Sequence, residues 1–374
     1  VIIAQMLESD GPGGAELVVL RLSIELRRRG HDVVPVGPTN GVGWLGERFR
    51  EAGFEPEQFG LRRAVDPSGP RRLAEMLTRR GVQAVHSHEF TMCVYGAAAA
   101  RRLGVPHVTT MHGSQTMTQA WRRRAALRWA YRRSRAVVAV SEATRLQLEA
   151  DLGLRPGVLT LVRNGVPVVR GDRARARAEF GLRDDDVMVL AVGNLDPRKG
   201  HRVLLGALQQ LVANGLDVPW HLVIAGGRGG PEREPLLAFA AEHGLADRVH
   251  VLGQREDVPD LQAAADIFAM PSLWEGLPLA LLEGMIAGNA CVASRTSGIP
   301  EAITDGEHGV LVPPGDVNAL ATALAPLLRD PALRARYGQA AYARAMQEFT
   351  IEAMTDRYEA LLGIGAGVSV GAGR

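Results

Sequence analysis

Three charged side chains are the ones best suited by type and spacing to do chemistry. Glu275 and Glu283 lie eight residues apart in PSLWEGLPLALLEGM, residues 271–285, and Lys199, in GNLDPRKGH, residues 193–201, is the single lysine beside 42 arginines. An ammonium is a compact point charge that suits one phosphate oxygen, where a planar guanidinium fork does not always fit. The bland alternative is chance, one cation among many written as lysine. Eight residues at helical rise would separate the two carboxylates by roughly 12 Å, an upper bound because part of the span reads as loop. A carboxylate pair in which one member is a glycosidic nucleophile stands only about 5–5.5 Å apart. The wider spacing suits two ends of one extended ligand. A nucleotide sugar is such a ligand, with its hexose near the loop, its ribose deeper, and its diphosphate over a helix N-terminus between them.

Such residues need elements to hold them at strand ends. VIIAQML, DVVPVG, QAVHSH, HVTTMH, AVVAV and GVLTLV read as buried strands of a parallel sheet. Between them run helical patterns such as AELVVLRLSIELRRRG, whose glycine stop leads straight into the next strand. The series restarts with VMVLAVG, WHLVIAG, RVHVLG, DIFAMPS and ACVAS. The expected fold is therefore α/β, with two doubly wound Rossmann-like domains facing each other across a cleft. The domains are drawn at 1–167 and 168–347, with a seam in RNGVPVVRGD, residues 163–172, where Asn, Gly and Pro break the periodicity. Residues 316–362 read as helical to the end. Residues 348–362 are expected to return to the N-terminal domain, and 363–374 to form a flexible tail. In doubly wound sheets ligands sit beyond the carboxyl ends of the strands, so the site is expected in the cleft.

At those ends GPGGAE, residues 11–16, follows the first strand and opens the first helix. Gly13 and Gly14 there admit a close backbone approach to an anion, or simply form a tight turn. Arg198 and Lys199 sit in the loop after VMVLAVG, placed for a diphosphate or for solvent. Glu275 lies in the loop after DIFAMPS, and Pro278 is expected to start a helix, where its missing N–H costs nothing. His112, ending HVTTMH, reads by itself as a strand-end histidine with a structural partner.

Composition sets the outer limits. Hydrophobic residues at 46% and charged residues at 22% are ordinary for a globular chain and exclude a disordered one. Two distant cysteines, Cys93 and Cys291, have neither disulfide-framework nor zinc-ligand spacing, which suits a reducing compartment. No run reaches the 18 or so apolar residues of a membrane span, and VIIAQML begins without a signal-peptide pattern. A cytoplasmic location is expected. Charge is uneven: residues 1–167 hold 24 arginines against 15 acids, net +9, while residues 168–374 come to −7. The basic half suits an anionic partner; nothing points to nucleic acid. In residues 119–135 helical spacing aligns Arg124, Arg128 and Arg132 beside Trp121, Ala125 and Trp129. That stripe fits peripheral contact with the inner, anionic face of a membrane. It fits better an outer helix with its aromatics on the sheet and its arginines in water.

The C-terminal half resembles the retaining GT-B glycosyltransferases of family 4, whose hallmark is a glutamate, seven residues, and a second glutamate. Here that motif runs from Glu275 to Glu283. The likeness extends through GQREDVPDLQAAADIFAMPSLWEGLPLALLEGM, SGIPEAITDGEHGVLVPPGD and EFTIEAMTDRYEALL, and in the first half through ESDGPGGAELVVL, TTMHG, VAVSEAT and VRNGV. The resemblance implies that Glu275 contacts the transferred sugar, with Gly276 beside it, and that Glu283 contacts the ribose. It implies that Leu279 and Ala280 offer backbone N–H groups to the diphosphate, Lys199 neutralises it, and Gly13 and Gly14 close over it. Arg255 would line the nucleotide base, and His112 would stand near the reacting carbon on the acceptor side. Asn194 departs from the pattern, because an arginine usually follows that glycine; Arg198 is the candidate substitute. Ala290 stands where proline is common.

The resemblance thus implies transfer of a hexose from a nucleotide-diphosphate sugar, UDP-linked first and GDP-mannose second, to a hydroxyl of a glycan, glycolipid or small molecule, with retention. No cofactor and no metal are expected, and oligomeric state is left open. Two other classes stay in view: a nucleotide-sugar epimerase of the same shape, and a non-catalytic sugar-binding protein.

Overall fold

The computed structural model describes residues 1–38, 43–63, 65–113, 118–227 and 230–364. The expected tail therefore lies outside the described residues from 365 on. Two compact units partition the chain: Val1–Gly165 together with the segment from Ile351 on, and Val166–Thr350.

The first unit is built on a parallel sheet of seven strands: β1 (Ile2–Met6), β2 (Asp32–Gly37), β3 (Glu57–Gln58), β4 (Ala84–His88), β5 (His107–Met111), β6 (Ala136–Ala139) and β7 (Thr160–Leu161). Their spatial order is β3-β2-β1-β4-β5-β6-β7, so the winding direction reverses between β1 and β4. An unbroken apolar strand such as β6 is what a sheet covered by helices on both faces requires. The helix Gly14–Arg28 follows β1, with Glu16 in its first turn and Arg27 and Arg28 in its last, the sense that complements the helix dipole. The helix Glu142–Leu152 starts where the Ser141 side chain accepts the Thr144 N–H and ends at left-handed Gly153, caps that satisfy otherwise orphaned backbone groups. The last helix, Ile351–Leu362, packs on helix Gly14–Arg28 and on β4 and β5. Tyr358 is 1% exposed there.

The second unit has six parallel strands: β8 (Val187–Val192), β9 (Trp220–Ala225), β10 (Val249–Val251), β11 (Ile267–Met270), β12 (Ala290–Ser294) and β13 (Val310–Val312), in the order β10-β9-β8-β11-β12-β13. Its reversal falls between β8 and β11. One continuous core surrounds Trp220, Leu204, Leu208, Ile224, Leu324 and Leu327.

Both sheets are doubly wound, as the sequence implies, with two differences in detail. Strands β3 and β13 are only two and three residues long, too short to leave a periodic signal. The helical stretch 316–362 is three helices. Asp330 caps Pro331–Glu348 by accepting the N–H groups of Ala332 and Leu333. Thr350 then leaves helical geometry to bridge Val166.

Candidate active site

In the second unit the two loops at the β8/β11 reversal are tied together. After β8, Asp196 caps a short 3-10 turn, Pro197–Lys199, by accepting the Arg198 N–H. The Arg198 carbonyl then accepts the Leu273 N–H from the loop after β11, at 2.7 Å. Gly200, at φ +68°, makes this approach possible: a Cβ there would come within 2.0 Å of the Pro271 carbonyl oxygen. The result brings Lys199 Nζ to 2.6 Å from Glu275 Oε1. Their side chains are 22% and 11% exposed. The hydrogen bond is charge-assisted and largely shielded from solvent. The Lys199 stem lies across Gly193, where a Cβ would meet its Cδ at 3.2 Å.

Four residues after Glu275 the helix Leu279–Ile286 begins. Pro278 is its cap and not its first residue; the Pro278 carbonyl accepts the N–H groups of Leu281 and Leu282. The Leu279 and Ala280 N–H groups precede the first intrahelical bond, and no acidic residue occupies the first turn. That end carries the partial positive charge that attracts a phosphate. Glu283 is half-buried one turn into this helix, and Gly276 is half-buried in the loop before it.

The two other cations expected at the site in this unit, Arg198 and Arg255, are engaged elsewhere. Arg198 turns its guanidinium back to Asp196, at 2.8 and 3.2 Å, with its side chain 66% exposed. Arg255, after β10, is gripped by Asp257 and Glu179 at 2.6–2.7 Å, which raise its pKa further. Asn194 is exposed, under a glycine loop that the sequence analysis missed. A Cβ on Gly226 would meet the Gly193 carbonyl oxygen at 2.1 Å, and one on Gly227 would meet the Asn194 Cα at 3.3 Å. Repeated glycine in AGGRGG was the available signal, since such backbone contact needs it. Also missed were three buried residues at the carboxyl ends of β8, β11 and β12. Ser272 Oγ and Ser294 Oγ have no hydrogen-bond partner, while the His201 ring lies by the Asn194 and Gly193 carbonyls. Burial, with the nearby Asn194 and Gly193 carbonyls opposing, lowers the His201 pKa to about 4.

In the first unit the reversal between β1 and β4 gathers a different set. Gly13, in extended conformation, precedes the helix Gly14–Arg28, and a Cβ on it would meet Glu16 Oε2 at 2.3 Å. The helix N-terminus is thus already faced by its own carboxylate, which opposes an incoming phosphate. His112 follows β5. Its ring Nε2 lies 2.9 Å from His88 Nδ1, and its backbone N–H donates to Glu89 Oε1 at 3.2 Å. Burial lowers the His112 pKa to about 4 and pushes Glu89 up to about 8, helped by Glu8 and Glu16. Glu89 holds φ +64°, a strained value for a residue with a side chain. Nothing in the sequence announces that strain.

The helix Trp121–Tyr131 carries the basic stripe. Arg124 donates to the Thr118 carbonyl and Arg128 to the Leu152 carbonyl, while Arg133 and Arg122 lie over Trp129 and Trp121. Trp121 is 67% exposed, and Trp129 packs against the Leu127–Leu148–Leu152 core. Arg124, Arg128 and Trp129 are therefore packed or capping, while Trp121, Ala125 and Arg132 are exposed. Among the described residues no helix is long and apolar enough to cross a membrane, and no group of three His, Cys, Asp or Glu could hold a metal ion.

Comparison with known proteins covers both units of the chain. The family model described as "Glycosyl transferases group 1" matches residues 172–344, and that described as "Glycosyltransferase Family 4" matches residues 12–170. A D-inositol 3-phosphate glycosyltransferase of Mycobacteroides abscessus is 35% identical over 65% of this chain. The chain spans 58% of that protein's length. A GDP-mannose-dependent alpha-(1-6)-phosphatidylinositol monomannoside mannosyltransferase of Mycolicibacterium smegmatis is 34% identical, covering 68% of this chain and 72% of the relative. In fold, the crystal structure of Anabaena HepE in complex with UDP superposes with a TM-score of 0.82 at 23% identity, over 97% of this chain and 99% of that one.

Proposed function

The chain belongs to glycosyltransferase family 4, with the two Rossmann-like domains of the GT-B fold, and on that premise we propose that it transfers a hexose from a nucleotide-diphosphate sugar to an acceptor hydroxyl with retention at the anomeric carbon. The observation that carries this reading is the Lys199–Glu275 pair at 2.6 Å, four residues ahead of the uncapped helix end at Leu279 and Ala280. A cation, a carboxylate and free N–H groups are the set that an anionic diphosphate joined to a polyhydroxyl ring requires. In the proposed complex the diphosphate takes Lys199 and the Leu279 and Ala280 N–H groups. Glu275, beside Gly276, accepts from sugar hydroxyls, and Glu283 from the ribose. Asn194 and Arg198 border the phosphates and Arg255 the base, and His112 acts from the first unit; Gly13 and Gly14 act with it once the Glu16 carboxylate beside them is displaced.

The acceptor oxygen bonds to the anomeric carbon as the bond from that carbon to the phosphate oxygen breaks. The electron pair leaves with the diphosphate, and the hydroxyl proton passes to a departing phosphate oxygen on the same face. Lys199 and the helix end stabilise the negative charge that develops there, so we propose that turnover needs no metal and survives chelation. UDP-sugars are the first donor proposed, in keeping with the UDP complex of HepE, and GDP-mannose the second, in keeping with the mannosyltransferase. The acceptor is a hydroxyl of a glycan, glycolipid or small molecule, met in the cytoplasm or at the inner membrane face.

The test is incubation with a panel of nucleotide sugars, with and without hydroxyl acceptors, reading nucleotide release and product anomeric configuration by NMR. Acceptor-dependent release with retained configuration is expected. Conversion of the sugar nucleotide without acceptor would establish epimerisation instead, and binding without release a non-catalytic protein.

A further inference from the structure

Beneath His112 lies a row of side chains that the transfer reading leaves unused. Gln5 on β1, His88 at the end of β4 and His112 after β5 come from three adjacent strands. Gln5 and His88 are 1% and 0% exposed. The His88 and His112 rings are inclined by only 18°, with centroids 5.2 Å apart, while His88 Nδ1 and His112 Nε2 stand 2.9 Å apart. With each nitrogen on its ring's perimeter, these distances describe two rings meeting edge to edge in nearly one plane, with a proton shared along the line between them.

Such a contact holds one proton, so one ring donates and the other accepts. Burial holds the pKa of His88 well below its usual value and that of His112 near 4, so at neutral pH each ring carries a single N–H. The far side of His88 decides the order. Its Nε2 lies 3.0 Å from Gln5 Oε1, while the buried Gln5 Nε2 has no hydrogen-bond partner; with the amide oxygen turned to the ring, that side of His88 meets a group that only accepts. His88 therefore spends its proton on Gln5, its Nδ1 is a bare lone pair, and His112 must donate from Nε2.

We propose that Gln5 and His88 are positioning residues that fix His112 as the Nε2–H tautomer, leaving its Nδ1 a neutral acceptor for a hydroxyl of the sugar or of the acceptor. This rests on the transfer reading above. The row discriminates between ligand classes: a bare lone pair receives a neutral hydroxyl, whereas an imidazolium or an Nδ1–H would receive a phosphate oxygen. Glu89 adds a second hold, fixing the His112 main chain while His88 fixes the ring. His86, whose Nε2 contacts Thr110 Oγ1 at 2.8 Å, which in turn contacts Tyr358 OH at 3.0 Å, packs on His88 from the other side with centroids 4.1 Å apart.

The experiment is side-chain 15N NMR on the full chain labelled at histidine, with His112 assigned by its loss in His112→Gln. The expected result is a protonated, pyrrole-type Nε2 and an unprotonated, pyridine-type Nδ1 on His112, unchanged from pH 6 to 8. A protonated Nδ1 on His112 would overturn the proposal. Gln5→Leu and His88→Leu are expected to mix the two His112 tautomers and to lower kcat by about 10- to 100-fold, by analogy with the outer partners that orient metal-bound histidines, with little change in donor KM. His88→Asn, whose Oδ1 stands close to the position of Nδ1, should keep the tautomer and recover part of kcat. A His112 tautomer unmoved by both leucine variants would equally overturn it. The expected tautomer in a protein that transfers no sugar would support the proton order and remove the transfer reading.

Discussion

The Lys199–Glu275 contact joins two functions that separate on substitution. Lys199→Ala removes the charge that meets the diphosphate and strands a shielded carboxylate, so UDP affinity should fall and turnover should drop by about 10²-fold or more. Glu275→Gln should leave UDP affinity within a few-fold of wild type while turnover collapses, because the carboxylate faces the sugar and not the nucleotide. Calorimetry with UDP beside steady-state kinetics checks both, and equal losses of UDP affinity in the two variants would refute the division of labour. Glu89 gives a residue-scale test on stability. Its pKa rises from 4.5 to about 8 on folding, so the unfolded chain ionises first and stability is lost as pH climbs through that window. Buried histidines slope the other way: with His112 and His201 near 4 and His107 near 3, stability is lost as pH falls below 6.5. Several histidines outweigh one glutamate on the acid side, which leaves the Glu89 effect visible between pH 6.5 and 8. Glu89→Gln should gain melting temperature over wild type as pH rises from 4.5 to 8; a constant difference would reject the assignment.

At the scale of elements, loops fastened by backbone contact position the site. Gly200→Ala puts a methyl group against the Pro271 carbonyl and forces φ +68° on a residue with a side chain. We expect a cost of about 1–3 kcal/mol together with loss of nucleotide binding, measured by urea unfolding with and without UDP. For the helix Trp121–Tyr131, Arg124→Ala should leave turnover of a soluble acceptor unchanged and lower stability slightly, since the guanidinium caps the carbonyls of Thr118 and Gln119; altered turnover would assign that helix a direct role. The strands of both sheets other than β3 and β13 were legible because an apolar run between glycine stops has one reading, and Lys199 and Glu275 because they stand at strand ends. Gln5, His88 and Glu89 were not. Their significance comes from register, Gln5 opposite His86 and His88 opposite Thr110, and pairing between distant strands leaves no periodic trace in the chain. Pro278 was read as the first helical residue and is the cap, a shift of one position that proline's fixed φ permits in either place.

On the scale of the molecule, the two units are joined by two crossings, at Gly165–Val166 and at Thr350–Ile351, bonded to each other where Val166 N–H donates to the Phe349 carbonyl at 2.9 Å. The helix Ile351–Leu362 belongs to the first unit through Tyr358, Met354 and Leu362, all at most 3% exposed, and through Arg29, which binds Glu359 at 2.7 Å. A chain ending at Thr350 should therefore melt in two steps, with the first unit lowered and the second unit's UDP-induced stabilisation retained; a single unshifted transition would contradict this. The double crossing also bears on how the chain is born. The sheet of the first unit, made before the second unit, lacks the helix that seals β4 and β5 until translation has passed residue 362, whereas the intervening unit has all its own sequence before then. Folding during synthesis should accordingly run out of step with the order of the residues, the later-made unit maturing first and the earlier one waiting, partly uncovered, for its last helix.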